Sequence, residues 1–271
     1  MPAMGNGYRA RAHISLGGRM HTERRELDTG DGQLGLYVAR PDGDGPFPLV
    51  MFFHHGPGFD DGSREAADAI ASEGFCVAVP DRYWRNGPWL TFDIAALFAE
   101  GPDSPAMQEF LGLLLGTTDD MVDADIAVAL ASLHDDPAVD TVNAGCIGYC
   151  IGARTVVRTL AGRSDTFVAG VGLHPSFCVT SEPNSPHLSV PTMTGRLHMA
   201  QGAADQLASL EENQPLLDAV TELGDRGSTD VIEGADHGFA VPGGHAYHPE
   251  GAARSYATAF AMFGEHLGSN V

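Results

Sequence analysis

The sequence predicts one domain of the α/β class, built on a single twisted and mostly parallel β-sheet with helices on both faces. From residue 34 onward, short apolar runs alternate with segments of helical periodicity, which is typical of parallel strands joined by helical crossovers. No linker or internal repeat divides the 271 residues, and single α/β domains reach about 250 residues. We therefore expect a domain over residues 30–271. It follows an N-terminal lead at residues 1–29, whose flexibility is left open.

The predicted elements follow from apolar patterning and from Gly and Pro punctuation. Strands, several with the continuous apolar runs of strands buried on both faces, are predicted at 34–39, 49–53, 75–79, 141–147, 167–173, 192–199 and 229–232. Helices with apolar residues at helical spacing are predicted at 63–73, 119–134, 151–160, 206–223 and 251–267. Ligands of such sheets bind at the carboxyl ends of the strands. The loops after the strands are therefore where a site is expected.

Residues 88–116 are predicted to be an insertion over the sheet. Two apolar helical pieces, at 92–98 and 106–115, are separated by Gly-Pro-Asp at 101–103, a turn signal. The segment is rich in large apolar side chains, Trp89 among them. We expect the insertion to cover part of a substrate pocket and to favour an apolar or neutral substrate.

The charge balance argues against two classes of partner. The formal net charge is −21, and all fifteen basic residues are arginines. Such a field repels phosphate backbones and anionic membrane surfaces, so neither nucleic acid nor a membrane is expected as a partner. No apolar run is long enough to span a membrane, and the first twenty residues lack the apolar centre of a signal peptide. Four cysteines make no disulfide framework, and a cytoplasmic protein with reduced thiols is expected.

The strongest local signal is Gly-Tyr-Cys-Ile-Gly at residues 148–152. It follows an apolar strand and opens a predicted helix, the setting of a nucleophile elbow. Side chains two positions from the nucleophile would collide in so tight a turn, which explains both glycines. The helix N-terminus would favour the thiolate of Cys150. The alternatives are a buried cysteine at a glycine-rich packing contact and a metal pair formed with Cys146.

A thiol nucleophile needs a base, and the base needs a group that orients it. His237 lies in a glycine-flanked loop directly after the predicted strand at 229–232. Asp205 follows the strand that ends at Met199 and is the candidate acid, with a helix N-cap as its alternative role. Asp236 ranks below it, because a side chain adjacent to His237 in sequence would point elsewhere.

Two backbone N–H groups, those of Ile151 and Gly56, are predicted to form an oxyanion hole. Gly56 belongs to His-His-Gly-Pro-Gly at 54–58, the loop after the first buried strand. The paired histidines raise a metal site as an alternative, but the chain has no His-Glu-x-x-His run. No metal and no other cofactor is expected. Candidate pocket residues are His55, Tyr149, Trp89, His174 and Phe239.

Together these segments resemble the dienelactone hydrolase family of α/β hydrolases, over roughly residues 30–267. The resemblance is carried by the cysteine elbow, by Val-Pro-Asp-Arg-Tyr at 79–83, by Gly-Ala-Ala-Asp at 202–205 and by Ala-Asp-His-Gly-Phe-Ala at 235–240. It implies an α/β-hydrolase fold. It also implies a triad of Cys150, His237 and Asp205 that opens lactones or cleaves esters through a thioester acyl-enzyme, without metal or cofactor.

Two positions depart from family members that cleave dienelactones. Those members carry a Glu at the position of His55, where it restrains the resting thiol, and an Arg at the position of Val241, which holds the substrate carboxylate. The resemblance therefore supports the reaction class and weakens the dienelactone substrate. The cations still available for an anion are Arg82, Arg85 and Arg154.

A lactone or a small ester is the expected substrate. Two alternatives stand beside hydrolysis: an acyl transferase or cyclase of natural-product metabolism that uses the same triad, and a non-catalytic binding protein with a hydrolase-like fold. An intact order of nucleophile, acid and histidine argues against the binding protein. A homodimer is left open.

Overall fold

A computed structural model describes residues 20–268 and places eight strands in one sheet. The strands are β1 (Met20–Asp28), β2 (Gln33–Pro41), β3 (Phe47–Phe53), β4 (Cys76–Pro80), β5 (Val139–Tyr149), β6 (Phe167–Leu173), β7 (Arg196–Gly202) and β8 (Gly227–Ile232). The α-helices are α1 (Asp61–Ser72), α2 (Ile94–Glu100), α3 (Pro105–Gly116), α4 (Asp119–His134), α5 (Ile151–Gly162), α6 (Leu210–Thr221) and α7 (Pro249–His266).

The sheet has the strand order β1-β2-β4-β3-β5-β6-β7-β8. β2 pairs antiparallel with β1 and β4, and β3 to β8 are all parallel. The predicted α/β class and mostly parallel sheet are therefore confirmed. After β3 the chain moves to one side of that strand to form β4, and after α4 it returns to the other side to form β5. The carboxyl ends of β3 and β5 thus lie at a topological switch point, where ligands of such sheets bind.

The sheet begins earlier than the sequence analysis predicts. The expected lead at 1–29 is wrong for residues 20–28, which form β1 and pair with β2 along their whole length; residues 1–19 lie outside the described part of the chain. β1 has the sequence MHTERRELD, and its charged residues hide the apolar signal. Such charge is usual for an edge strand, since it discourages pairing with other chains. Arg25 ties β1 to Asp136, next to the start of β5.

Two further elements begin more than two residues later than predicted. Residues 192–195 were expected to open a strand, but a 3₁₀ helix at Pro186–Thr192 comes first and β7 begins at Arg196. The helix expected at 206 begins at Leu210, because Ser209 and Glu212 form a reciprocal capping box there. Residues 203–209 are thereby freed to form the loop that follows β7.

Apolar side chains fill both faces of the sheet. On one face, Leu49 and Met51 of β3 pack with residues of α4, α5 and α6. On the other, Val50 and Phe52 pack with residues of α1 and α7. This alternation follows from the two-residue repeat of a strand, and it holds the carboxyl ends of the strands in a fixed frame.

The insertion contributes α2 and α3, which correspond to the two helical pieces predicted at 92–98 and 106–115. Each starts at a side-chain cap, Asp93 for α2 and Ser104 for α3. Within residues 20–268, no helix combines the length and hydropathy needed to cross a membrane.

Candidate active site

Cys150 lies on the sharp turn between β5 and α5. Its backbone has φ 53° and ψ −117°, a strained conformation for a residue with a side chain. The turn is fixed by the Cys150 N–H, which donates to the Leu173 carbonyl at 3.1 Å. Helix α5 begins at the next residue, Ile151, so the sulfur lies at a helix N-terminus, where the dipole favours negative charge.

The two glycines of the elbow are required by space. A Cβ at Gly152 would lie 2.0 Å from the Phe53 carbonyl oxygen, and one at Gly148 would lie 2.3 Å from the Gly152 carbonyl oxygen. Both distances are well inside van der Waals contact, and both neighbouring atoms are backbone. The reason given for these glycines from the sequence is therefore confirmed.

Asp205 and His237 are brought together from the loops after β7 and β8. His237 Nδ1 lies 2.8 Å from Asp205 Oδ2. The other carboxylate oxygen, Oδ1, accepts hydrogen bonds from the N–H groups of Leu207 and Ala208. The alternative role of Asp205 as a helix N-cap is wrong, because Ser209 caps α6 and Asp205 Oδ1 closes a turn in the loop before that helix. The other oxygen is bound to the imidazole of His237, as the predicted orienting acid requires. Asp236 accepts from the backbone of Gln206 and His237 instead.

Cys150 and His237 influence each other's ionisation. Burial alone raises the pKa of the Cys150 thiol, but the charge of the neighbouring His237 outweighs burial and lowers the pKa to about 6. Burial lowers the pKa of His237, while the charge of Cys150 and the bond to Asp205 raise it to about 10. Within residues 20–268, the buried His237 Nε2 makes no hydrogen bond of ordinary geometry. The two shifts favour a thiolate–imidazolium pair.

The predicted oxyanion donors lie on two adjacent elements. Ile151 is the first residue of α5, where a helix leaves its N–H without an intrahelical acceptor. Gly56 lies in the loop after β3, and this loop is anchored because the Tyr83 hydroxyl donates to the Gly56 carbonyl at 2.7 Å.

The paired histidines of that loop point to different partners. His54 Nδ1 donates to the His55 carbonyl, its Nε2 accepts from the Arg82 N–H, and burial lowers its pKa to about 4. His55 Nε2 lies 2.8 Å from Asp60 Oδ2, and the charge of His55 lowers the pKa of Cys150. In the described part of the chain, no group of three or more His, Cys, Asp or Glu residues could hold a metal ion.

Three candidate pocket residues form a buried cluster of rings next to His237. The His174 ring lies 4.9 Å from the His237 ring, 5.4 Å from the Tyr149 ring and 5.7 Å from the Phe239 ring. His174, Tyr149 and Phe239 are fully buried. Burial holds the pKa of His174 well below its ordinary value, so this ring supports His237 as a neutral group.

Trp89 is not brought next to Cys150. Its ring packs 5.5 Å from the Phe59 ring and beneath the Arg24 guanidinium of β1. The indole therefore closes the β1–β2 side of the sheet. Its placement there could not be foreseen while β1 was taken for a lead.

The insertion packs directly on Cys150. The cluster around Cys150 and Ile151 contains Leu97, Met107, Phe110 and Leu114. A Cβ at Gly56 would lie 3.2 Å from Leu114 and 3.3 Å from Phe110. Helix α3 therefore also contacts the loop after β3. Cys150 is only 8% exposed.

Several residues around the site were missed from the sequence. Ser176 lies with its Oγ 3.5 Å from Cys150 Sγ, although only His174 was singled out from the same loop. Gln201 Nε2 donates to Asp205 Oδ2 at 3.3 Å, and Asn213 Nδ2 donates to Gln201 Oε1 at 3.0 Å. Asp60, the partner of His55, had no sequence signal. The contact of Ser176 with Cys150 depends on the pairing of β5 with β6, and the contacts of Gln201 and Asp60 depend on how the loops after β7 and β3 fold back; residue spacing reveals neither.

The strand order, the elbow after β5 and the bonded Asp–His pair after β7 and β8 define the α/β-hydrolase class. Among solved structures, a candidate dienelactone hydrolase from Klebsiella pneumoniae subsp. pneumoniae MGH 78578 matches with a TM-score of 0.75 at 21% identity, over 92% of this chain and 100% of that one. A dienelactone hydrolase-like promiscuous phosphotriesterase from metagenomic libraries gives 0.72 at 21% identity, over 93% and 100%.

The chain belongs to the dienelactone hydrolase family, whose model matches residues 34–267. A candidate carboxymethylenebutenolidase of Azospirillum brasilense is 26% identical over 242 residues, which are 88% of this chain and 96% of that protein. The chain is accordingly a hydrolase of the carboxylic ester type.

Proposed function

We propose that this protein hydrolyses a lactone or small carboxylic ester through a cysteine acyl-enzyme, with Cys150 as nucleophile, His237 as base and Asp205 as the orienting acid. The observation that carries the proposal is the 2.8 Å hydrogen bond from His237 Nδ1 to Asp205 Oδ2. It fixes the ring so that Nε2 serves the nucleophile. The depressed pKa of the Cys150 thiol, about 6, supports the same assignment, because the thiolate is the reactive form.

In the first half-reaction the Cys150 thiolate attacks the substrate carbonyl carbon and forms a C–S bond. The carbonyl electron pair moves to oxygen, and the resulting oxyanion accepts hydrogen bonds from the N–H groups of Ile151 and Gly56. Collapse breaks the C–O bond, and the His237 imidazolium gives its proton to the leaving oxygen. With a lactone, that oxygen stays in the acyl chain.

In the second half-reaction neutral His237 removes a proton from water. The resulting hydroxide attacks the thioester carbonyl, the C–S bond breaks, and the acid leaves. The thiolate of Cys150 and the imidazolium of His237 are restored, so protons and charge balance over the cycle.

The test is mass spectrometry of the intact protein after brief incubation with p-nitrophenyl acetate. We expect one acetyl group per chain, located on Cys150 by peptide mapping and lost on standing. Acetylation elsewhere, or no adduct while the ester is consumed, would contradict a cysteine acyl-enzyme.

The substrate is expected to be neutral where it meets the insertion, because two of the nearby arginines are paired with carboxylates and the third donates to a backbone carbonyl. Arg85 forms two hydrogen bonds with Asp125, Arg154 pairs with Asp119, and Arg82 donates to the Thr117 carbonyl. Val241, at the position of the family arginine, is buried in the apolar core.

Matched neutral and carboxylate-bearing lactones of equal size should therefore differ in kcat/KM. We expect the neutral lactone to be preferred by about tenfold or more, the cost of an unpaired carboxylate against apolar side chains being at least about 1.4 kcal/mol. A preference for the anionic lactone would contradict the neutral pocket.

His55 is expected to promote ionisation of Cys150. Since its charge lowers the pKa of the thiol, His55→Gln should move the pH profile of Cys150 alkylation upward, by about half a pH unit. The measurement is the rate of iodoacetamide labelling between pH 4 and 9. His134→Gln, at the exposed end of α4, is the control. Superimposed profiles for His55→Gln and the native chain would show that His55 does not tune the nucleophile.

A further inference from the structure

The loop that follows β6 contacts Cys150 and His237 directly and is linked to Asp205 through Asn213 and Gln201. Its Ser176 makes two hydrogen bonds with Cys150. The Ser176 N–H donates to the Cys150 carbonyl at 3.2 Å, and the Cys150 thiol donates to the Ser176 hydroxyl at 3.5 Å. Ser176 is 5% exposed, so no bulk water competes for this hydroxyl. The hydroxyl is therefore a fixed neighbour of the nucleophilic sulfur.

The rest of the loop reaches the other two residues. The His174 ring meets the His237 ring edge to face. The Pro175 carbonyl accepts from Asn213, which also donates to Gln201, and Gln201 donates to Asp205 Oδ2. The His174 N–H donates to the Ala200 carbonyl of β7 at 2.8 Å, so the loop is held to the sheet. A displacement of Ser176 away from the sulfur would disturb these bonds, and the hydroxyl is consequently held in place.

The other ionisable groups near Cys150 come from every neighbouring element. They are His55 after β3, Arg82 and Tyr83 after β4, Cys178 after β6 and His237 after β8. None of the carboxylates described in this site faces the sulfur: Asp205 is bound to His237, and Asp60 to His55. A carboxylate would repel a thiolate, whereas a hydroxyl can turn its hydrogen toward one. Ser176 is thus the neutral group in direct contact with the sulfur that can adapt to both of its charge states.

We propose that Ser176 is a positioning residue, whose hydroxyl accepts from the Cys150 thiol and donates to the Cys150 thiolate. This inference rests on the proposed role of Cys150. The donated bond stabilises the sulfur whenever it carries negative charge, which happens at rest and again when the C–S bond of the acyl-enzyme breaks. A thioester sulfur carries no such charge and gains less from the bond. Ser176 therefore favours the free thiolate and accelerates its departure from the acyl group.

The test uses the full-length protein and the variants Ser176→Ala and Ser176→Thr. Ser176→Ala keeps the backbone bond to Cys150 but removes the hydroxyl. Its alkylation profile is expected to shift upward by about one pH unit, since hydrogen bonds to charged groups carry about 1.5 kcal/mol or more. Stopped-flow kinetics with p-nitrophenyl acetate should show about tenfold slower deacylation. Ser176→Thr retains a hydroxyl and should stay close to the native profile.

Ser255→Ala is the matched control, because it also removes a fully buried serine hydroxyl, on α7 and away from Cys150. Labelling of the other three cysteines is subtracted with a Cys150→Ala protein. Superimposed profiles for Ser176→Ala and the native chain would overturn the proposal, as would an equal shift in Ser176→Thr. Alkylation needs no ester substrate, so this result is distinguishable from a failure of the proposed hydrolysis.

Discussion

Replacement of Cys150 with Ala is expected to lower kcat/KM for an activated ester by at least about four orders of magnitude. The sulfur is the atom proposed to form the acyl bond, and the neighbouring Ser176 hydroxyl has no base aligned on it. The fold should be retained, because Ala keeps the Cβ and the backbone bonds of the elbow are unchanged. Steady-state kinetics and thermal unfolding of the purified variant measure both effects.

Cys76→Ala provides the matched control. Cys76 is a fully buried thiol on β4, and burial raises its pKa to about 12. Loss of its sulfur should lower the free energy of unfolding by about 1 kcal/mol, as for other small core deletions, and leave kcat/KM nearly unchanged. Full activity in Cys150→Ala would mean that another residue is the nucleophile.

Replacement of Asp205 with Asn is expected to lower kcat by about three orders of magnitude while the loop after β7 keeps its shape. The Asn carbonyl can still accept from the N–H groups of Leu207 and Ala208, as Oδ1 does now. Its amide would then face His237 Nδ1 with a donor. The imidazole would have to place its proton on Nε2, the nitrogen that must accept one.

The same substitution should change the ionisation of the thiol. Asp205 raises the pKa of His237, and the charge of His237 lowers that of Cys150. With that carboxylate gone, the alkylation profile of Cys150 should move to higher pH. Asp236→Asn is the control, since among the described residues 20–268 Asp236 accepts hydrogen bonds from backbone N–H groups and the Asn amide can keep an acceptor there. Equal losses of kcat in the two variants would contradict the assignment of Asp205.

The buried strands were predictable because their signal is local. The strand β6 and the helix α4 coincide with their predicted bounds, since a continuous apolar run or a capped periodic segment marks both. The strand β1 was not predictable from its own sequence, MHTERRELD. It is stabilised by pairing with β2 and by the ion pair of Arg25 with Asp136. Asp136 lies far along the chain, and although β2 follows β1 directly, no pattern within β1 indicates that the two strands pair.

The candidate site divides in the same way. The elbow at 148–152 could be predicted because its glycine pattern is local in sequence, although the atom that excludes a side chain at Gly152 belongs to Phe53 of β3. The contact of Ser176 with Cys150 could not, because it depends on the parallel pairing of β5 with β6. The pairing of His55 with Asp60 also escaped prediction. The resemblance to the family relates the position of His55 to a glutamate and gives no information about Asp60.

The insertion and the proposed triad come from separate segments of the sequence, and this has an evolutionary consequence. In the sequence, residues 88–116 lie between β4 and α4. Three of their side chains, Met107, Phe110 and Leu114, nevertheless pack around Cys150 and Ile151. The proposed nucleophile, acid and histidine all come from other loops. Mutation or recombination confined to this one segment can therefore alter which molecules are accepted and leave the bond-breaking groups untouched. Relatives that share the sheet and the elbow are expected to diverge first in this segment, and a graft from one relative to another should carry substrate preference with it.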